Sequence, residues 1–227
     1  MNLIESIPDL APLWISLRVS FGATVIVTIC GTCAAYQLYN CRRPYRSLIE
    51  GILLIPLLLP PTVVGFILLL ICGRNSVIGQ VLAQWELRLV FSWYGAVIAA
   101  AVVAFPLMYR AAVAAFSQIE PLLLDAARLD GASELTVFWQ IALPLAAPGL
   151  MAGIILALAR ALGEFGATLM LAGNIPGQTQ TIPIALYFAV ENGNFPEAWF
   201  WVAVVLGLSI GGILGLEYWS NHGDSQS

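Results

Sequence analysis

Long apolar runs set the pattern of this chain. Five of them, at about 13–38, 48–72, 93–116, 145–172 and 197–219, reach the roughly 20 residues that a helix needs to cross a hydrocarbon core of about 30 Å. The pattern predicts an all-α integral membrane protein, with about five transmembrane helices in one domain over residues 1–220 and a polar, disordered tail at 221–227. An odd number of crossings puts the two termini on opposite sides. Arg42, Arg43 and Arg46 cluster between the first two runs, and the positive-inside rule places that loop in the cytoplasm. Arg110 and Arg128 fall on the same side, with only Arg74 and Arg88 opposite, so the N-terminus is expected outside and the C-terminus in the cytoplasm. Arg18, near the outer end of the first run, is long enough to snorkel to the headgroups.

Several positions interrupt the runs from within. Pro56, Pro60, Pro61 and Gly65 lie in the second, and the prolines remove backbone donors; this predicts either a bent helix near a pore or a kinked packing helix. In the fourth, Gly149, Gly153, Ala157 and Ala161 recur every four residues, a small-residue stripe that lets another helix approach closely. Arg160, Glu164 and Thr168 share the same spacing and are expected on one face, as an ion pair holding helices together or as a polar lining for a pathway. Gly207, Gly211 and Gly215 repeat the small-residue theme in the fifth run.

Between the runs, residues 73–92 place Ile78, Val81, Leu82 and Trp85 at helical spacing, with Gln80, Gln84 and Glu86 off that face, which predicts an interfacial helix on the outer side. Trp85, Trp93 and Tyr94 suit the headgroup boundary. The run IPIALYFAV after Thr181 is too short to span; Thr181 as cap and Pro183 near the start predict a re-entrant or interfacial helix. The most polar interruption is Ser117 to Pro144, with Glu120, Asp125, Arg128, Asp130 and Glu134. It predicts two short amphipathic helices. Leu122, Leu123, Ala126, Ala127 and Leu129 form the apolar side of the first, and Leu135, Phe138, Trp139 and Ala142 that of the second. Gly131 separates them and Ser133 is the candidate N-cap. A mixed-charge helical hairpin on the face of a membrane protein is a docking surface.

Composition agrees with the pattern and narrows the chemistry. Hydrophobic residues make up 60% of the chain and charged residues 10%, against roughly a quarter charged in soluble domains. The net charge is −4 with no basic tract, so nucleic acid is not an expected partner. Cys30, Cys33, Cys41 and Cys72 lie in or beside apolar runs and read as packing residues rather than a metal or redox site. The acidic start MNLIESIPDLAP does not have the form of a cleavable signal peptide. There is no phosphate-binding glycine loop, no HExxH helix and no nucleophile with a base, so no catalytic residues are assigned. An energy source must come from another subunit. An intramembrane enzyme lacks its catalytic pair here. A membrane anchor or assembly subunit would explain the hairpin but not the broken helix and buried charge.

The hairpin residues carry a specific resemblance. Asp125, Ala126 and Ala127, then Gly131 after three residues, Ile141 after nine more, and Leu143 with Pro144 after one more, reproduce the spacing of the EAA loop of bacterial ABC import permeases, with Asp125 where that family usually has Glu. The stretches LPPTVVG at Leu59 to Gly65, GEFGAT at Gly163 to Thr168 and NIPGQTQTIP at Asn174 to Pro183 resemble the permeases of molybdate ABC transporters, over about Ser16 to Tyr187. Sulfate and thiosulfate permeases are related but usually longer by an N-terminal span, and tungstate is a chemically close alternative cargo.

The resemblance implies an ABC importer permease fold in the bacterial inner membrane. It also implies a homodimer of this chain, two ATPase subunits that bind ATP and Mg, and a periplasmic oxyanion-binding protein facing 73–92 and 173–196. The chain itself would bind no cofactor or metal, and membrane lipid would surround it. Asp125, Ala126, Ala127, Gly131, Glu134, Ile141, Leu143 and Pro144 become the ATPase-coupling candidates, with Leu143 and Pro144 ending the hairpin and starting the next span. Pro60, Pro61, Arg160, Gly163, Glu164 and Thr168 are the pathway candidates, and Thr179 and Thr181 further donors to an oxyanion.

Overall fold

The structure, a computed structural model, describes residues 9–39, 45–85 and 88–223. Cys41, Arg42, Arg43, Glu86 and the last four tail residues lie outside the described residues, as do the side-chain surroundings of Leu82, Gly215 and His222. Every regular element among the described residues is helical.

Two long helices form the centre, α1 (Ala11–Tyr39) and α5 (Trp93–Ser117). Ile15, Val19, Ala23 and Val27 of α1 bury against the column Ala96, Ala100, Ala104 and Met108 of α5. Alanine every four residues keeps α5 narrow, so contact is made by close backbone approach, the mode available where lipid removes any hydrophobic driving force between helices. On the other side, α8 (Leu143–Leu162) uses the stripe expected of it: a Cβ on Gly149 would come within 2.6 Å of Ala115 Cβ, and one on Gly153 within 2.7 Å of Ala111 Cβ.

The second apolar run is not one helix. It divides into α2 (Arg46–Leu58) and α3 (Pro61–Cys72), bent by 112°. Pro60 and Pro61 have no N–H to offer the carbonyls of Pro56 and Leu57, so the helix cannot continue, and Pro61 instead starts α3 in the position proline favours. A short helix, α4 (Val77–Ala83), follows, with the Ser76 hydroxyl accepting from the Gly79 N–H at 2.8 Å. Ile78, Val81 and Trp85 are exposed, as an interfacial segment requires, although Trp85 lies in a turn beyond the helix.

The fourth run departs from expectation at both ends. Its helix begins within the hairpin as α7 (Glu134–Val137), passes through a π-turn at Phe138–Ala142 and continues as α8, so Leu143 and Pro144 sit inside one continuous helix from Glu134 to Leu162 rather than ending the hairpin. In the π-turn the Leu143 N–H reaches back five residues to Phe138 O. The widened turn makes room for the Pro144 ring, which a regular turn would drive into the carbonyl four residues back. At the far end the helix breaks over Gly163–Phe165, and α9 (Gly166–Ala172) follows. Arg160, Glu164 and Thr168 therefore do not share one helix face.

The remaining helices are α6 (Pro121–Leu129) in the hairpin, α10 (Ile182–Glu191) and α11 (Phe195–Gly223). Thr181 stands at the α10 N-cap position, but its side chain caps nothing; the Ser16 hydroxyl of α1 accepts from the Ile182 N–H at 2.7 Å. A cap from α1 serves α10 and fixes its distance from α1 in a single bond. α11 packs on α10 through the fully buried Trp201 and continues three residues into the expected polar tail. Gly207 and Gly211 meet nothing within 4 Å, so they have no partner among the described residues.

Gly65 tests the crossing of α3 and α9. A Cβ there would lie 2.7 Å from Ala167 Cα and 2.9 Å from Ala167 O, while one on Gly51 meets nothing within 4 Å. Gly65→Ala should cost about 1–3 kcal/mol by overpacking, and Gly51→Ala should be neutral or mildly stabilising. Thermal midpoints of the purified permease in detergent check both; equal midpoints would mean that α3 and α9 do not cross here.

Candidate functional site

The hairpin is built by two turns of chemistry around one glycine. α6 starts on Pro121 and ends where Ala132 N–H bonds Ala127 O at 3.0 Å and Gly131 N–H bonds Arg128 O at 3.1 Å, the paired closure of a Schellman motif. That closure needs a left-handed residue, and Gly131 has φ +87°. A Cβ on it would meet nothing within 4 Å, so the demand for glycine is conformational, not steric. Ser133 then caps α7, its hydroxyl accepting from the Thr136 N–H at 3.2 Å.

Arg128 locks the turn. Its Nε and Nη2 donate to the two Glu134 carboxylate oxygens at 2.8 and 3.2 Å, and Nη1 donates to Asp125 Oδ1 at 2.9 Å. A planar guanidinium thus ties α6 to α7 across the glycine with bidentate geometry, which lysine could not reproduce. The hydrogen bonds from Arg128 hold the Glu134 carboxyl below the usual carboxylate range. Because the folded value is depressed, this contribution is complete above the unfolded carboxylate value and is lost as pH falls through the folded one. Both acids are solvent-exposed, so the pairs are worth only a few tenths to about 1 kcal/mol each.

The apolar residues of the hairpin divide differently from their expected faces. Leu124 and Val137, neither assigned to the apolar sides, are the buried anchors, together with Ala142. Phe138 packs tilted against Tyr36 at 4.7 Å between centroids, and Tyr36 meets Phe116 edge-on at 5.4 Å, so the ends of α1 and α5 hold the start of the long helix. Leu122, Leu129, Leu135 and Trp139 are instead 70%, 89%, 72% and 62% exposed. Asp125, Ala126, Glu134 and Pro144 are exposed, Ala127, Ile141 and Leu143 half-buried against the core. Four large apolar side chains of the hairpin thus form an exposed apolar edge, with Leu124 turned inward.

At the opposite end of the same long helix lie the pathway candidates. The Arg160 guanidinium is 2.8 Å from Glu164 Oε2, and the other oxygen of Glu164 accepts from the Ala167 N–H at 2.8 Å. One carboxylate, 1% exposed, thus pairs with the last turn of α8 and caps the first turn of α9. The ion-pair reading of these residues therefore holds within the chain, while the Arg160 side chain remains 30% exposed. The two helix breaks are adjacent: a Cβ on Gly166 would meet Thr62 and Pro61 at 3.1–3.3 Å. Pro60 and Gly163 are exposed beside this crossing and Pro61 is half-buried.

Thr168 is fully buried with an unpartnered hydroxyl, and Thr179 is consumed by its own loop, accepting from Ile175 N–H and donating to Gly173 O. Thr181 is buried as well. These threonines pack the fold rather than line its surface. Gly166 and Ser16 were not singled out by the sequence. The GEFG stretch could have pointed to Gly166; nothing local marks Ser16. Cys30 and Cys33 are unpaired and exposed on α1.

Residues 27–216 match the family described as binding-protein-dependent transport system inner membrane component. YvgM of Bacillus subtilis (strain 168), which bears the name of a molybdenum transport system permease protein, is 49% identical over 87% of this chain and 88% of its own length. The molybdenum transport system permease protein ModB of Escherichia coli (strain K12) is 44% identical over 83% of each. A sulfate transport system permease protein, CysW of Synechocystis, is 37% identical over 80% of this chain and 65% of its own. An inward-facing structure of the MetNI methionine ABC transporter superposes with a TM-score of 0.68 over 96% of this chain and 99% of that one, at 17% identity, which establishes a shared fold. With the coupling-loop spacing, the helix breaks and a match over most of its length, the chain belongs to the inner-membrane permease family of binding-protein-dependent ABC importers.

Proposed function

We propose that this permease carries molybdate inward across the membrane by alternating access, as a homodimer joined by two ATPase subunits and fed by a periplasmic oxyanion-binding protein. The observation that carries the mechanism is the continuous helix from Glu134 to Leu162, which has a docking edge at one end and the Arg160–Glu164 pair at the other. A push on Leu135 and Trp139 is delivered along a stiff rod to the break at Gly163. ATP and Mg act on the partner ATPase, and this chain takes part only by transmitting the movement.

Molybdate is favoured over sulfate by the relatives: those named for molybdenum are 49% and 44% identical, the sulfate one 37%. Tungstate is the alternative cargo closest in chemistry. The second copy would cover α2, which buries no residue in this chain and exposes Ile52, Ile55, Leu57 and Leu58. The hairpin would face the cytoplasm, with the N-terminus outside and the C-terminus inside. Pro60, Pro61, Gly163 and Arg160 would line the route where the two broken helices cross, and Glu164 would keep Arg160 oriented toward it.

Reconstitution with the ATPase and binding protein in liposomes tests the assignment. ATP-driven uptake of labelled molybdate is expected, inhibited by excess tungstate and not by equal sulfate. Efficient competition by sulfate would reassign the cargo, and no uptake of any oxyanion would favour an anchor or assembly role. The ion pair makes a separate prediction. Arg160→Ala leaves a buried carboxylate unpaired and should destabilise the permease by about 3–5 kcal/mol. Adding Glu164→Gln removes the charge but keeps an acceptor for Ala167 N–H, and should recover most of that loss. Thermal unfolding of the single and double variants checks this, and a silent Arg160→Ala would show that the pair is not structural.

A further inference from the structure

At the end of the molecule where α1 begins, Trp14 and Arg18 of α1, Trp93 and Tyr94 of α5, and Gly177 with Gln178 of the loop before α10 line a cleft of about 360 Å³. That volume lies within the about 300–1,000 Å³ typical of small-ligand sites. Arg18 lays its guanidinium over the Trp14 ring, 5.3 Å from the centroid, and enters no ion pair among the described residues. Among the described residues, no acid lines the cleft. Asp9, the nearest acid in sequence, is two residues from the rim at Ala11 and accepts from the Ala11 N–H at 3.0 Å. The N-terminus of the 25-residue α5 opens at the same place and adds partial positive charge. Among the described residues the cleft therefore presents one cation without an acidic partner, and several donors.

The wall that continues from it is apolar. Leu17 beside Arg18, and Phe21, Val25 and Ile29 below it, are exposed along α1, a stripe that only hydrocarbon or another apolar surface covers in a membrane. Arg18 is seven residues into the helix, about 10 Å from its start, a depth that suits the boundary between headgroups and acyl chains, and Trp14 stands one turn nearer the water. An oxyanion free in solution gains nothing from the stripe, whereas a lipid uses both parts.

We propose that this cleft is a specific site for an anionic phospholipid, its phosphodiester on Arg18 and its acyl chains along the α1 stripe. A zwitterionic headgroup would bring an ammonium that has no carboxylate to meet here among the described residues, and the Trp14 face available to stack on it is taken by Arg18. The bound lipid joins the start of α1, the start of α5 and the loop before α10. This site does not depend on which oxyanion the transporter carries.

The test is native mass spectrometry of the assembled transporter released from nanodiscs holding about equal phosphatidylglycerol and phosphatidylcholine. Wild type should retain phosphatidylglycerol selectively; Arg18→Gln should lower that retention about tenfold, the loss of one charge-assisted contact, and Arg18→Lys should keep part of it. Thermal midpoints measured without added lipid confirm that the variants fold, since Arg18 is exposed. Excess inorganic phosphate should not displace the lipid. Equal retention of both lipids, retention unchanged in Arg18→Gln, or displacement by inorganic phosphate would each overturn the proposal, the last by making the cleft a free-oxyanion site.

Discussion

The structure depends most on one buried carboxylate. In a bilayer, a broken helix exposes backbone donors and acceptors that water cannot satisfy, so each break needs a local substitute. Glu164 supplies it at the break in the fourth run, with one oxygen on the Ala167 N–H and the other against Arg160. The second run meets the same difficulty differently: Pro60 and Pro61 remove the donors instead of leaving them unpaired. Because the breaks lie side by side, with Gly65 and Gly166 allowing their helices to touch, two discontinuities share one site. Few arrangements satisfy so many constraints at once, and this favours a site that moves as a unit rather than deforming gradually.

The other end of the same helix is constrained in a complementary way. Leu124, Val137 and the Tyr36–Phe138–Phe116 cluster hold the hairpin onto α1 and α5, and Arg128 closes its turn. Leu122, Leu129, Leu135 and Trp139 remain outward beside the exposed acids Asp125 and Glu134. The π-turn at Phe138–Ala142, which accommodates Pro144, and Pro148 inside α8 are irregularities on the way to the break.

Much of this was legible in the sequence because it rests on local rules. The small-residue stripe of Gly149 and Gly153, the cap at Ser133, the proline break at Pro60 and Pro61, and the i, i+4 pair of Arg160 with Glu164 are all set by residues near one another in the chain. The errors came where tertiary contact decides. Periodicity assigned an apolar side to the hairpin, but it could not tell a face buried on α1 from a face kept for a partner, so Leu124 and Val137 were passed over. Pro144 looked like a boundary because a regular helix would not tolerate it, and the π-turn removed the objection. Ser16 capping α10 joins residues far apart in sequence and carries no local sign. Thr168 seemed to continue the Arg160 and Glu164 face only because a break of three residues is invisible to a four-residue count.

The central claim is that the exposed edge of the hairpin is where energy enters. Leu135→Ser combined with Trp139→Ser removes that edge without touching the buried anchors, so the permease should keep its thermal midpoint while its affinity for the ATPase subunit, measured by titration of the purified proteins, falls at least tenfold, the scale of losing two interface anchors. Unchanged ATPase affinity in a folded double variant would contradict the account.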